Sequence, residues 1–266
     1  MHRKVALVTG AARRIGAAIS QRLHRAGYDV IVHCNQSVVD GEALVDAFNA
    51  QQFKSAHLLR YDLRQKGAVS ALIADALQWK GRLDLLVNNA SVFYRNQLPL
   101  AFTTHTAGEP QAEQEKKEAE KAEEANLWAD LFHLNVRVPF LLSQYAYESL
   151  KTHQGAIINL TDIHANKPLK HYAIYCQTKA ALVMQTKALA REFAPHVRVN
   201  AVAPGAVAWP EYQNQLTQAV QDQIVAQTPL KRHGNPIYVA EAVLALATNA
   251  FITGQVLNVD GGRSII

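Results

Sequence analysis

The chain has 266 residues, 49% hydrophobic and 18% charged, with a formal net charge of +5. That apolar content suffices for a substantial core, whereas runs such as Val5–Val8 and Ala156–Ile158 are far too short to span a bilayer. Lysines and arginines are scattered rather than striped with aromatics, which argues against a nucleic-acid partner; their excess serves solubility or draws in an anionic cofactor.

Met1–Lys4 leads straight into an apolar run with no cleavage site, so no signal peptide is expected. The only cysteines, Cys34 and Cys176, form neither a disulfide framework nor a metal motif. His33, His164 and His171 likewise lack metal-ligand spacing, and no metal is expected. A cytoplasmic protein fits these features.

In chain order the predicted strands are Val5–Val8, Val30–Val32, Ala56–Leu59, Leu83–Val87, Ala156–Leu160, Val197–Val202 and Gln255–Val259. Helical patterns separate them; Ile15, Ile19, Leu23 and Ala26 make the first apolar stripe. Near-continuous apolar strands alternating with helices predict an α/β fold, a Rossmann-type doubly wound parallel sheet with helices on both faces. Its ligand belongs at the carboxyl ends of the strands. No linker divides the chain, so residues 1–266 read as one domain. A polar insertion at about 103–126 interrupts it. Between Glu109 and Glu124 there are seven Glu and three Lys, a net of −4. It reads equally as a solvated excursion or a substrate lid.

After the first strand comes Thr9-Gly10-Ala11-Ala12-Arg13-Arg14-Ile15-Gly16, a turn that opens a helix. Such a turn offers backbone N–H groups and the helix dipole to phosphate, and glycine allows close approach. Gly10, Arg14, Ile15 and Gly16 are therefore candidate cofactor residues; a plain helix-start turn is the alternative. The second strand ends in His33-Cys34-Asn35-Gln36-Ser37, with no acid before Asp40. An acid there would bind the ribose 2′-hydroxyl of NAD. His33, Asn35, Gln36 and Ser37 thus suit NADPH, unless they only form a polar turn. Farther on, Tyr175 and Lys179 stand four apart on one helical face, where an ammonium is expected to lower the tyrosine's pKa.

Thr9-Gly10, Asn88-Asn89-Ala90, Asn135, Asn159, Tyr175-x-x-x-Lys179 and Pro204-Gly205 together resemble the short-chain dehydrogenase/reductase family over essentially the whole chain. The resemblance implies that Tyr175 donates a proton and Lys179 binds the nicotinamide ribose. It places Asn135 at a proton-relay water, Asp62 and Leu63 at the adenine, Asn89, Ala90 and Ser91 along the cofactor, and Pro204-Gly205 beside the nicotinamide. Family members are usually tetramers built on the helices holding Asn135 and Tyr175, so a homotetramer is expected.

Departures from the family narrow the reading. Asp162 stands thirteen residues before Tyr175, where a serine is usual. An ionised carboxylate only accepts hydrogen bonds, so it opposes a carbonyl oxyanion but suits protonation of a ring nitrogen. Ser91 replaces a glycine and is followed by Phe93, which either stacks on a flat heteroaromatic ring or joins the core. With Arg14, these features resemble the pteridine reductase subgroup, in which the pterin lies between nicotinamide and phenylalanine. Catalysis would fall to Asp162, Tyr175, Lys179 and Asn135, and substrate binding to Arg14, Ser91, Phe93, Asp162 and Tyr175. NADPH would reduce dihydrobiopterin, dihydromonapterin or dihydrofolate. The subgroup's basic residue before Ser37 is Gln36 here, and the ending Arg263-Ser-Ile-Ile266 lacks the late arginine with which some members complete a neighbouring subunit's site. The rival readings are an NADPH-dependent reductase of 3-oxoacyl-thioester type and a dinucleotide-binding regulator without turnover.

Overall fold

The computed structural model describes residues 3–96, 122, 125–209 and 215–266. Seven parallel strands form one sheet in the order β3-β2-β1-β4-β5-β6-β7. They are β1 (Val5–Val8), β2 (Asp29–Cys34), β3 (Ala56–Arg60), β4 (Leu85–Asn88), β5 (Ala156–Leu160), β6 (Arg198–Pro204) and β7 (Val256–Val259). β1, β2, β4 and β5 are buried along their whole length, as a sheet covered on both faces requires. The doubly wound expectation therefore holds.

Each face has its own core. On one, β-strand residues such as Val8, Val30, Val87 and Ile158 meet α1 (Arg14–Arg25), α2 (Val38–Gln51) and α7 (Pro236–Thr248). On the other, Leu7, Ile31, Leu86 and Ile157 meet α3 (Ala68–Lys80), α4 (Val138–Thr152) and α5 (Ala173–Phe193). α6 (Gln218–Gln227) lies between β6 and α7 in the chain. Along α1, Ile19 and Leu23 are fully buried, together worth roughly 3–6 kcal/mol. A missing side-chain N-cap costs only about 1 kcal/mol. Burial wins, so α1 forms although its N-terminus has no side-chain cap.

Element ends depart from expectation for polar reasons. β4 begins at Leu85 because the Asp84 carboxylate is occupied: it accepts from Val5 N at 2.8 Å and from Arg82 at 2.6 and 2.8 Å. β6 extends to Pro204, pairing Ala201–Pro204 with β7. At its start, Arg198 donates to the carbonyls of Leu246 and Ala247 at 2.7 and 2.6 Å, satisfying the end of α7. The other end of α7 has Asn235 as N-cap, accepting from Ile237 N at 3.0 Å, followed by Pro236.

The strand order reverses between β1 and β4, and the carboxyl ends of these two strands define the crevice. Of the insertion at 103–126, all but residues 122, 125 and 126 lie outside the described residues. Among the described residues, no helix is long and apolar enough to cross a membrane, and no His/Cys/Asp/Glu group could hold a metal.

Candidate active site

The loop from β1 to α1 is built for close approach. Gly10 has φ +60°, and a Cβ there would lie 3.1 Å from Ala90 Cα. A Cβ on Gly16 would lie 2.1 Å from Gly10 O and 2.9 Å from Ala11 Cα, so no other side chain fits without moving backbone. Thr9 and Asn89 fasten this loop to the end of β4. Thr9 Oγ1 accepts from the N–H groups of Asn89 and Ala90, both at 3.0 Å, and Asn89 Nδ2 donates to Thr9 O and Gly10 O, both at 2.9 Å. The first turn of α1 carries no acidic residue and no side-chain cap. A glycine cradle beneath an uncapped helix N-terminus fits a dinucleotide's pyrophosphate.

His33 lies at the end of β2 but is buried. Gly10 N–H donates to its Nδ1 at 3.2 Å, and its Nε2 faces Tyr61 O at 3.1 Å. A backbone N–H only donates and a carbonyl only accepts, so the ring is neutral with its proton on Nε2. Burial lowers the His33 pKa to about 4, against the opposing effect of the Tyr61 hydrogen bond. This histidine therefore joins the phosphate loop to the turn holding Asp62 and Leu63. Asp62 Oδ1 accepts from Arg64 N at 3.1 Å, while the Leu63 side chain belongs to the core. Asn35 and Ser37 are half-buried and Gln36 is exposed. Arg13, which the sequence reading passed over, reaches this end of the crevice, with Nε 3.8 Å from Asp40 Oδ2. Its signal was a second guanidinium in the phosphate loop, beside Arg14.

Asp162, Tyr175 and Lys179 converge at the end of β5. Tyr175 O–H donates to Asp162 Oδ2 at 2.8 Å, and Asp162 Oδ1 accepts from His164 N at 2.9 Å. Lys179 Nζ donates to Leu160 O at 3.0 Å and sits 5.6 Å from the centre of the Tyr175 ring. The expected lowering of the tyrosine's pKa is overturned. Burial, then the charge of Asp162 and its hydrogen bond, raise the Tyr175 pKa well above its ordinary value. Burial lowers that of Lys179 to about 8, against the pull of Asp162. Spacing brought the two residues to one face; it carried no information on burial or on where Nζ would point.

Phe93 stacks on Tyr172 with ring centroids 4.2 Å apart and presents an edge contact to Tyr175 at 4.7 Å. It thus lies beside the Tyr175 hydroxyl's own ring, inside a small aromatic cluster with Leu131 and Ile174. Asn135 is held in a π-helical turn, His133–Arg137, just before α4. Its Oδ1 accepts from Val92 N at 2.9 Å and Ser91 Oγ at 3.1 Å; its Nδ2 donates to Val92 O at 2.9 Å and Thr178 Oγ1 at 3.1 Å. The side chain pins the Ser91–Val92 backbone to α5, a role spacing did not reveal.

Arg14 is exposed, at φ +52°, and its Nη2 donates to Ala208 O at 3.0 Å and Trp209 O at 2.7 Å. It spans from the phosphate loop to the loop after β6. Ile15 packs against the core. Pro204 ends β6, and a Cβ on Gly205 would lie 2.7 Å from Asp260 Cβ.

A dinucleotide cradle at a strand-order reversal, with a buried tyrosine and lysine beside it, defines an NAD(P)-dependent oxidoreductase, and the chain belongs to the short-chain dehydrogenase/reductase family. Residues 10–264 match the family model described as enoyl-(acyl carrier protein) reductase. The chain is 34% identical to granaticin polyketide synthase ketoacyl reductase 2 of Streptomyces violaceoruber, over 98% of this chain and 96% of that one. It is 32% identical to pteridine reductase 1 of Leishmania tarentolae, again over 98% and 96%. Against the 3-oxoacyl-(acyl-carrier-protein) reductase of Staphylococcus epidermidis the identity is 34%, over 97% and 98%.

Proposed function

We propose that this oxidoreductase reduces pteridines with NADPH, the substrates being dihydrobiopterin, dihydromonapterin or dihydrofolate. The observation that carries the reading is the 2.8 Å hydrogen bond from the Tyr175 hydroxyl to Asp162. Bound NADPH supplies the hydride. Asp162 keeps the phenol protonated and aimed, and Tyr175 delivers that proton to a ring nitrogen. A carboxylate at this position opposes the negative oxygen that ketone reduction develops. Phe93 offers a ring to a flat substrate, with Ser91 and Arg14 at its margins. Lys179 is the residue for the nicotinamide ribose. Arg13, whose Nε lies 3.8 Å from Asp40 Oδ2, and Ser37 favour a 2′-phosphate, and hence NADPH over NADH, since no acid ends β2.

The ketoacyl and 3-oxoacyl reductases among the relatives favour a second reading, reduction of a 3-oxoacyl thioester. Identity alone does not separate the two, at 34% against 32%. Residue 162 does. Asp162→Ser is expected to depress pteridine reduction and admit carbonyl reduction; a variant that keeps full pteridine activity removes the carboxylate from the reaction. Retained Tyr175 and Lys179 weigh against a regulator without turnover. A homotetramer built on α4 and α5, and a cytoplasmic setting, belong to the same proposal.

A further inference from the structure

Asp162 sits on the loop after β5, which is held at its start by Thr161, donating to Val202 O through N at 2.9 Å and Oγ1 at 3.0 Å, and by buried Ile163. It caps a single 3-10 turn, Ile163–Ala165, and both carboxylate oxygens are committed, one to Tyr175 and one to the His164 N–H. A turn of three residues has poor hydrogen-bond geometry and does not fix its own orientation. Something outside the turn must.

Lys167 ties the far side of the turn to the C-terminal segment. Its N–H donates to Ile163 O at 3.0 Å, and its carbonyl accepts from His164 Nδ1 at 2.8 Å. Its Nζ crosses to the C-terminal segment and donates to Arg263 O at 2.9 Å and also to Ile266 O. The far end of this strut is itself anchored. Asp260 accepts from Gly262 N at 2.9 Å and Ser264 N at 2.7 Å, and Arg263 Nη1 donates to Ile224 O on α6 at 2.9 Å. Asp260 also packs against Gly205, whose missing Cβ it would otherwise meet. A run of bonds thus joins Asp260 and Arg263, through Lys167 and His164, to the carboxylate that receives the Tyr175 hydroxyl.

We propose that Lys167 is a positioning residue for Asp162, with the turn Arg263–Ile265 as its anchor. The proposal rests on the reading that Asp162 acts in the reaction. On a pteridine, a displaced carboxylate slows proton delivery; on a thioester, where the carboxylate opposes the oxyanion, displacing it is not expected to lower kcat. Small displacements of a reacting group are expensive, so Lys167→Met should lower kcat roughly tenfold. NADPH affinity and Tm should stay near wild type, since the strut touches neither the phosphate loop nor the core.

The test is a double-mutant cycle in kcat on the substrate that wild type turns over best, with NADPH affinity by fluorescence titration and Tm recorded for each variant. Lys167→Met should lose kcat, Lys167→Arg should keep most of it, and Lys167→Met added to Asp162→Ala should cost nothing further. His164→Leu, which cuts the same strut one residue earlier, should reproduce the loss and decides the matter if Lys167→Met does not fold. Unchanged kcat in the foldable single variants overturns the proposal. So does a Lys167→Met loss of equal size in the Asp162→Ala background. If wild type ignores pteridines and reduces a thioester, the substrate reading fails; a kcat on the thioester that falls in Lys167→Met but not when Asp162→Ala is already present would then still show that Lys167 acts through Asp162.

Discussion

Tyr175 and Lys179 stand one helical turn apart, and burial moves their proton affinities in opposite directions. The phenol is pushed well up, by burial and then by Asp162, so it stays protonated at neutral pH and is available to give. The ammonium is brought down to about 8, mainly by burial. Below about pH 8 Lys179 is charged and can hold a ribose hydroxyl as donor; above it, the amine is neutral. The kcat/KM profile, which reports the free enzyme, should therefore fall on the alkaline side near pH 8. A flat profile to pH 10 would show that the charge on Lys179 is not needed. Tyr175→Phe should cost roughly 10²–10⁴-fold in kcat while NADPH binding stays within a factor of a few. His33 makes a separate prediction. Its folded pKa, about 4, lies below the unfolded value of 6.5, so the unfolded chain binds more protons between them. The stability it contributes is complete above about pH 6.5 and is lost as pH falls toward 4. Urea unfolding at pH 7 and pH 5 should show wild type losing about 2 kcal/mol more than His33→Gln between the two. Parallel losses would contradict the buried neutral ring.

At the scale of elements, the π turn at His133–Arg137 is the joint between the α4 face and the crevice. Asn135 fills it with four hydrogen bonds, two of them to the backbone of Val92. Asn135→Ala leaves that N–H and carbonyl without their partners, which should cost about 1–3 kcal/mol, read as a lower midpoint in urea. It should also loosen Phe93, next along the segment, and raise KM for the substrate more than for NADPH. Unchanged stability would show that water or a neighbour replaces the amide. The sequence made some of this visible. Strands such as Val5–Val8 and Ala156–Leu160 were legible to the residue because every side chain in them is buried, so apolarity alone marks them. Gly10 and Gly16 were legible because close backbone approach admits nothing larger. What was not legible depended on contacts across the chain. Nothing in His-Leu-Asn-Val-Arg signals an extra residue per turn. Spacing says nothing of Lys179 turning to Leu160 O, nor of Arg14 reaching two carbonyls nearly two hundred residues away. The strut from Lys167 to Arg263 joins the loop after β5 to the segment after β7, which no local pattern could pair.

At the scale of the whole molecule, the reversal between β1 and β4 sets the phosphate cradle and the Asp162–Tyr175 pair at the same end of one sheet. The cradle fits a dinucleotide, and the pair stands where a hydride acceptor would receive its proton. Apolar side chains remain exposed on α4 and α5, among them Tyr145 and Met184 at 52% and 63%. A homotetramer would cover such a surface, and light scattering after size exclusion should give four times 29.3 kDa. A monomer at micromolar concentration would contradict it.

We propose that the carboxylate beside Tyr175 commits this enzyme to C=N rather than C=O reduction. The most direct test follows NADPH oxidation by purified protein with dihydrobiopterin and, in parallel, with an acetoacetyl thioester. Turnover of the pterin is expected with kcat/KM at least tenfold above that for the thioester, a difference of about 1.4 kcal/mol in transition-state binding. Preference for the thioester, with no oxidation of NADPH in the presence of any pterin, would contradict it.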